Sequence, residues 1–262
     1  MQVFSVCGDG ADALAARLAA RLDSNGRVAT ISRVDVTPED PRPAGVSTAY
    51  TLTDAGWSGA GDGSLSALID RVAPDHAYAI VTGEPGARLP HVVCGDVEHA
   101  GETLYRVEDA ESAAVPAIVE AVADLEPYET LESLVAQVKA SERAELSGAI
   151  ATFTGRVRAK ESTNDAPTEY LQFEKYEGIA EERMDTISRE LEERDGVLDV
   201  VMHHRTGVIE YGEDIVFVVV LAAHRGEAFQ TVEDGINRLK EEVPLFKKEV
   251  TVDEEFWVHE RQ

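Results

Sequence analysis

Ile215-Val216-Phe217-Val218-Val219-Val220-Leu221-Ala222-Ala223 is the strongest strand signal in the chain. It is almost wholly apolar and rich in β-branched residues, so it reads as a buried strand. His224-Arg225-Gly226 ends it. Glu227 to Glu242 then follows a helical pattern, and Pro244 must end that helix or force a turn, because proline lacks the amide donor and disfavours helix in the residue before it. Working outward, Ala149 to Val157 reads as a strand, and Thr168 to Tyr176 as an alternating strand of open register. Ile179 to Glu193 is an amphipathic helix burying Met184, Ile187 and Leu191, Val197 to His203 is a third strand, and Thr130 to Lys139 a preceding helix. Strands outnumber helices and connect through both helices and turns. The expected fold is an α+β domain with a mainly antiparallel sheet.

The ends of these elements carry the cations. Only six lysines occur, and Lys240, Lys247 and Lys248 fall within Leu239 to Glu249. Lys240 belongs to the helix C-terminus, and Lys247 and Lys248 to the extended segment beyond it. If that segment is extended, adjacent side chains point to opposite sides, so Lys248 faces away from Lys247. His224 and Arg225 end the strongest strand, His204-Arg205 another, and Arg158 the first. Each alone is ordinarily a surface ion pair or a helix-dipole contact. Together they point to a shared anion site in a protein otherwise covered in carboxylates.

At 262 residues the chain has room for two domains, and 44% hydrophobic residues suffice for real cores. A formal net charge of −26 excludes nucleic acid as the main partner and disfavours an anionic membrane. Excess Asp and Glu with little Lys is the pattern of salt-loving organisms. Cys7 and Cys94 lie in apolar strand-like runs and make neither a disulfide framework nor a metal cluster. The N-terminus does not read as a signal peptide, and no apolar run is long enough to span a membrane. A soluble cytoplasmic protein is expected.

The N-terminal half begins as a parallel α/β unit. Val3 to Cys7 is a strand, Gly8-Asp9-Gly10 a turn, Ala11 to Leu22 a helix with Leu14, Leu18 and Leu22 on one face, and Arg27 to Val34 the next strand. A loop with Pro38, Pro41 and Pro43 follows, then a helix over Ser64 to Val72, strands at Ala77 to Val81 and His91 to Cys94, and a closing helix over Glu111 to Leu125. The first turn has the length of a phosphate-binding loop. Such a loop needs a lysine for the phosphates and a hydroxyl for magnesium, where this chain has Ala13-Leu14-Ala15.

This half resembles MobB, the nucleotide-binding accessory protein of molybdopterin guanine dinucleotide synthesis. The resemblance rests on the loop and its helix, Gly26, Val28-Ala29-Thr30-Ile31, Tyr78 to Gly83, Leu89-Pro90 and Gly95-Asp96. The family places an acid where Thr82 stands, so a degenerate, structural or docking domain over residues 1–125 is expected.

Residues 126–262 carry, in order, Phe153-Thr154-Gly155-Arg156-Val157-Arg158, His204-Arg205-Thr206-Gly207, Gly212-Glu213, His224-Arg225 before Ala228-Phe229, Leu239-Lys240 through Pro244 to Phe246-Lys247-Lys248-Glu249, and Trp257. This resembles MoaE, the large catalytic subunit of molybdopterin synthase, an α/β hammerhead fold. The resemblance implies sulfur transfer from a thiocarboxylated, MoaD-like ubiquitin-fold carrier ending in Gly-Gly. The acceptor is cyclic pyranopterin monophosphate, and the product is the molybdopterin dithiolene. It implies a homodimer and no metal or redox cofactor. Lys240 and Lys247 match the family's catalytic lysines. Arg158, His224 and Arg225 are expected to bind the substrate phosphate, with Arg205 and Lys248 as weaker candidates. Two rival readings are a nucleotide-binding docking adaptor with an inactive synthase-like domain, and a carrier-binding module without chemistry.

Overall fold

The computed structural model describes residues 1–34, 41–160, 162–163, 166–175, 178–251 and 255–258; Pro38 and Tyr176 lie outside them. The chain divides into two compact units, Met1–Thr130 and Leu131–Gln262.

The first unit runs β1 (Gln2–Gly8), α1 (Ala11–Leu22), β2 (Val28–Ser32), β3 (Thr48–Thr53), β4 (Gly56–Gly61), α2 (Leu65–Val72), β5 (Tyr78–Thr82), β6 (His91–Cys94), β7 (Thr103–Val107) and α3 (Val115–Ala123). Five strands form a parallel sheet in the order β2-β5-β1-β6-β7. Phe4 and Val6 pack with Leu14, Leu18 and Leu22 of α1 and Ile118 and Val122 of α3. Val3 and Ala79 pack with Ile69 of α2 in a separate cluster. A sheet covered on both faces needs apolar residues at successive positions, which is why its strands read as continuous apolar runs. Gly8 adopts φ +98°, and a Cβ there would lie 2.0 Å from the Cys94 carbonyl oxygen, so only glycine fits. Both cysteines are buried and free, and burial pushes their thiols up from the usual range.

Three features of this unit differ from expectation, the first being the edge strand β7, which the sequence did not signal. The last helix starts at Val115, not Glu111. Asp109 accepts hydrogen bonds from the Glu111 and Ser112 amides (3.2 and 3.1 Å), making a turn that holds its carboxyl below the usual range. Pro116 then sits in the first turn, where its missing amide costs nothing. The β3–β4 hairpin was not anticipated, because nearly all its residues are exposed and no burial pattern marks it.

The second unit runs α4 (Leu131–Lys139), a 3-10 turn (Ala144–Leu146), β8 (Ala149–Arg156), β9 (Thr168–Lys175), α5 (Ile179–Glu192), β10 (Val197–His204), β11 (Gly207–Glu210), β12 (Asp214–Ala222), α6 (Arg225–Glu242), β13 (Leu245–Thr251) and β14 (Glu255–Val258). Two antiparallel sheets result, β10-β12-β8 and β11-β9-β13-β14. The stretch Ile215–Ala222 is the central strand of the first, buried along its length. Alternation sorts its side chains. Val216, Val218 and Val220 join Met184, Ile187 and Leu191 of α5 and Ile236 and Leu239 of α6. Phe217, Val219 and Leu221 join Leu134 and Val138 of α4. Leu171 and Phe173 of β9 complete the α5–α6 side, so the second sheet shares that core. Gly235 lets α6 lie close on the sheet: a Cβ there would sit 3.0 Å from Val218 Cγ1 and 3.1 Å from Met202 Cε. Among the described residues no helix is long and apolar enough to cross a membrane.

Candidate active site

Pro244 fixes where α6 stops. Val243 takes an extended conformation (φ −88°, ψ 122°), as the residue before a proline should, and its amide still donates to the Leu239 carbonyl. The helix therefore ends at Glu242 with Lys240 in its last turn, and the chain turns into β13. That last turn is clamped to α5. Arg238 pairs with Glu242 (2.7 Å) and with Glu190, and Arg183 also donates to Glu242. The Arg238 hydrogen bond, then the nearby guanidinium charges, hold the Glu242 carboxyl below its usual range, and the Arg238 guanidinium is raised in turn.

Between α6, β8, β9 and β13 lies a cavity of about 580 Å³. Among the described residues its walls carry Arg156, Arg158, Lys160, Lys240 and Lys247, and one carboxylate, Glu249. In a chain with 50 acids and 24 Lys and Arg, this inverts the overall balance. Leu171, Phe173, Ile215, Leu239 and Leu245 form the apolar wall. A few polar groups on a mostly apolar concavity of this size are what small-molecule sites present.

Strand register explains who faces in. In the β13–β9 pair Lys247 is opposite Phe173, and directly opposed residues share a face. Two residues on, Glu249 faces the same way and lies 3.8 Å from the Lys247 ammonium. The Thr168 hydroxyl donates to Glu249, fixing its carboxylate. Lys248, opposite Gln172, is turned away and does not line the cavity. Lys240, Arg158 and Lys160 are exposed at its open side. Arg156 is occupied by Asp214 (3.2 Å) and the Gly212 carbonyl.

Three expected residues are thus brought together: Arg158, Lys240 and Lys247. His224 and Arg225, grouped with them at one anion site in the sequence, do not line this cavity. They begin α6, whereas Lys240 ends it, about 24 Å away at the helical rise. Sheet register agrees, because the β12 end at Ala222 pairs with Ala149, and Arg156 pairs with Asp214 at the opposite end. Arg205 is also outside. His204 pairs with Val216 and takes its face, so Arg205 falls on the other side, where its guanidinium lies 5.4 Å from the Phe217 ring and donates to the Asp214 carbonyl (3.3 Å).

His204 itself lines the cavity and was not assigned a role from sequence. The missed signal was parity: at a strand end, a pair such as His204-Arg205 must split between two faces. Lys160 was missed because it lies in a polar loop with no periodicity to orient it.

In the first unit, the turn after β1 opens onto a second cavity, of about 840 Å³, lined by Gly8, Asp9, Gly10, Asp12, Ser32, Arg33 and Thr82 among others. The Thr82 hydroxyl donates to Ser32 Oγ at 2.9 Å, and Arg33 pairs with Glu84.

Comparison with known proteins bears on the second unit first. The family model described as "MoaE protein" matches residues 125–242. A Bacillus subtilis protein named "Molybdopterin synthase catalytic subunit" is 39% identical over 121 residues, covering 46% of this chain and 75% of that one. The crystal structure of molybdopterin synthase from Staphylococcus aureus matches with a TM-score of 0.45 at 32% identity, over 52% of this chain and 93% of that one. A Haloferax volcanii protein named "Probable molybdopterin synthase" is 53% identical over 264 residues, spanning the whole of both chains. With a relative this similar from end to end, the chain belongs to the MoaE family, the catalytic subunits of molybdopterin synthase, which are sulfur-transferring enzymes.

Proposed function

We propose that the cavity beside α6 transfers sulfur from the C-terminal thiocarboxylate of a small, MoaD-like ubiquitin-fold carrier to cyclic pyranopterin monophosphate, making the molybdopterin dithiolene. The observation that carries this reading is the concentration of Arg158, Lys160, Lys240 and Lys247 around one cavity of an acidic chain. Arg158 and Lys160 bind and orient the substrate phosphate through charge-assisted hydrogen bonds. Lys240, on the last turn of a clamped helix, meets the carrier tail and stabilises negative charge developing as sulfur transfers. Lys247 works from the strand side, held in direction by Glu249. Leu245 and Phe246 border the mouth through which the tail enters.

The enzyme works as a homodimer in this reading. One chain keeps His224 and Arg225 about a helix length from Lys240. They can serve the same substrate only if His224 and Arg225 of the partner subunit reach across. The first unit is a MobB-like domain with a degenerate phosphate loop, used for structure or docking. Asp9 and Asp12 beside its glycine turn repel a polyphosphate, and no lysine is there to offset them.

Single-turnover conversion of the cyclic pterin with thiocarboxylated carrier, followed as dithiolene, tests the reading. Wild-type chain should form product and Lys240→Ala should not, with carrier binding retained. Carrier binding without product in the wild type would replace the enzyme reading with the docking one.

A further inference from the structure

We propose that His204 is the general base for the hydrolytic half of sulfur transfer, a role that rests on the thiocarboxylate reading above. Once the carrier's sulfur has bonded to the pterin, the carrier acyl group remains attached to that sulfur as a thioester. Releasing it requires water. The water oxygen bonds to the acyl carbon, the carbon–sulfur bond breaks, and its electron pair stays on sulfur. The proton lost by water passes to the base and then to sulfur, giving a carrier carboxylic acid and a pterin thiol. No oxidant or reductant is involved.

Geometry selects His204. It is 5% exposed and lines the cavity at the end of β10. Its Nδ1 lies 2.8 Å from the Arg205 carbonyl oxygen. A carbonyl only accepts, so Nδ1 carries the hydrogen in the neutral ring and Nε2 is the basic nitrogen. The ring packs edge-on against Phe173 at 4.8 Å, and Phe173 is the cross-strand neighbour of Lys247. Imidazole, phenyl ring and ammonium therefore form one continuous wall. Among the described residues, the charged groups around the cavity are Arg156 and Arg158 from β8 and the turn after it, Lys160 from the following loop, Lys240 from α6, and Lys247 and Glu249 from β13, with Arg205 next to His204 in sequence. Glu249 is already engaged by Lys247 and Thr168.

The test uses His204→Asn in the full chain. Asparagine keeps a donor for the Arg205 carbonyl but has no counterpart of Nε2. With thiocarboxylated carrier and cyclic pterin, thioester hydrolysis should slow by about 100-fold or more, and a covalent carrier–pterin species should accumulate in intact-mass spectra. The acid limb of the wild-type hydrolysis profile should disappear, and raising the pH should recover rate as hydroxide substitutes for the base. Hydrolysis within about threefold of wild type, without the adduct, overturns the proposal. If His204→Asn does not fold, the wild-type profile decides: a rate independent of pH between about 5 and 8 overturns it. If the wild type itself consumes no thiocarboxylate, the sulfur-transfer reading has failed and this proposal falls with it.

Discussion

Each unit contains a cavity at the ends of strands, and the larger of these two is the less equipped for anion chemistry. The cavity of about 840 Å³ in the first unit has a glycine turn and a helix N-terminus, yet Asp9 and Asp12 line it and Arg33 is paired with Glu84. The cavity of about 580 Å³ in the second unit gathers, among the described residues, five cations around one carboxylate. Backbone geometry alone therefore does not make an anion site. The helix dipole is worth about 0.3–1 kcal/mol at a surface, which two facing carboxylates can cancel. Several cations converging on one cavity are a stronger attraction, because their full charges add where the helix end offers only a partial one.

The largest effect expected from this difference is on chemistry. Lys240→Ala and Lys247→Ala should each lower single-turnover product formation by about 10²–10³-fold, with circular dichroism and thermal midpoint unchanged; wild-type turnover in either variant would erase the contrast between the cavities. Next comes the division of the site between subunits. Lys240→Ala and Arg225→Ala should each be inactive alone, yet their mixture after subunit exchange should regain about a quarter of wild-type activity, since half the dimers then hold one intact site. No recovery, measured by the same dithiolene assay, would confine the site to one chain.

A smaller signal is expected from the first unit. Calorimetric titration with GTP or ATP should give no binding tighter than about millimolar (about 4 kcal/mol), and micromolar affinity would show a working nucleotide site there. The smallest effect belongs to the α5–α6 clamp. The Glu242 carboxyl is depressed in the folded state, so its contribution is fully present above the ordinary glutamate range and is lost as pH falls through the lowered value. The side chain is partly open to solvent, so Glu242→Gln should cost about 1 kcal/mol or less at neutral pH. Urea melts of the variant and wild type should converge under acid conditions.

Much of the fold was legible because local patterns were strong. The helix over Ala11–Leu22 begins and ends where the glycine turn and the leucine spacing put it, and Pro244 ends α6 as expected. The β3–β4 hairpin was invisible because strands exposed on both faces leave no alternation. Lys240 and Lys247 were found by their rarity in an acidic chain and by the family resemblance. Strand parity turns Lys248 away from Lys247, and in β13 the two lysines do face opposite sides. The same parity splits His204-Arg205 between two faces, and the register of β10 on β12 puts the histidine on the cavity side.

The sequence by itself determined the two-part organisation, the parallel and antiparallel sheet types, the family of the second unit and the residue types its chemistry needs. These follow from periodicity, helix stops and motif order, all of which are local in the chain. Only the tertiary structure decided that Arg158, Lys160, Lys240 and Lys247 surround one cavity, that His204 joins them, and that His224 and Arg225 lie at the far end of α6. Strand register and helix length set those separations, and both are fixed by packing between segments distant in sequence, which no local pattern records.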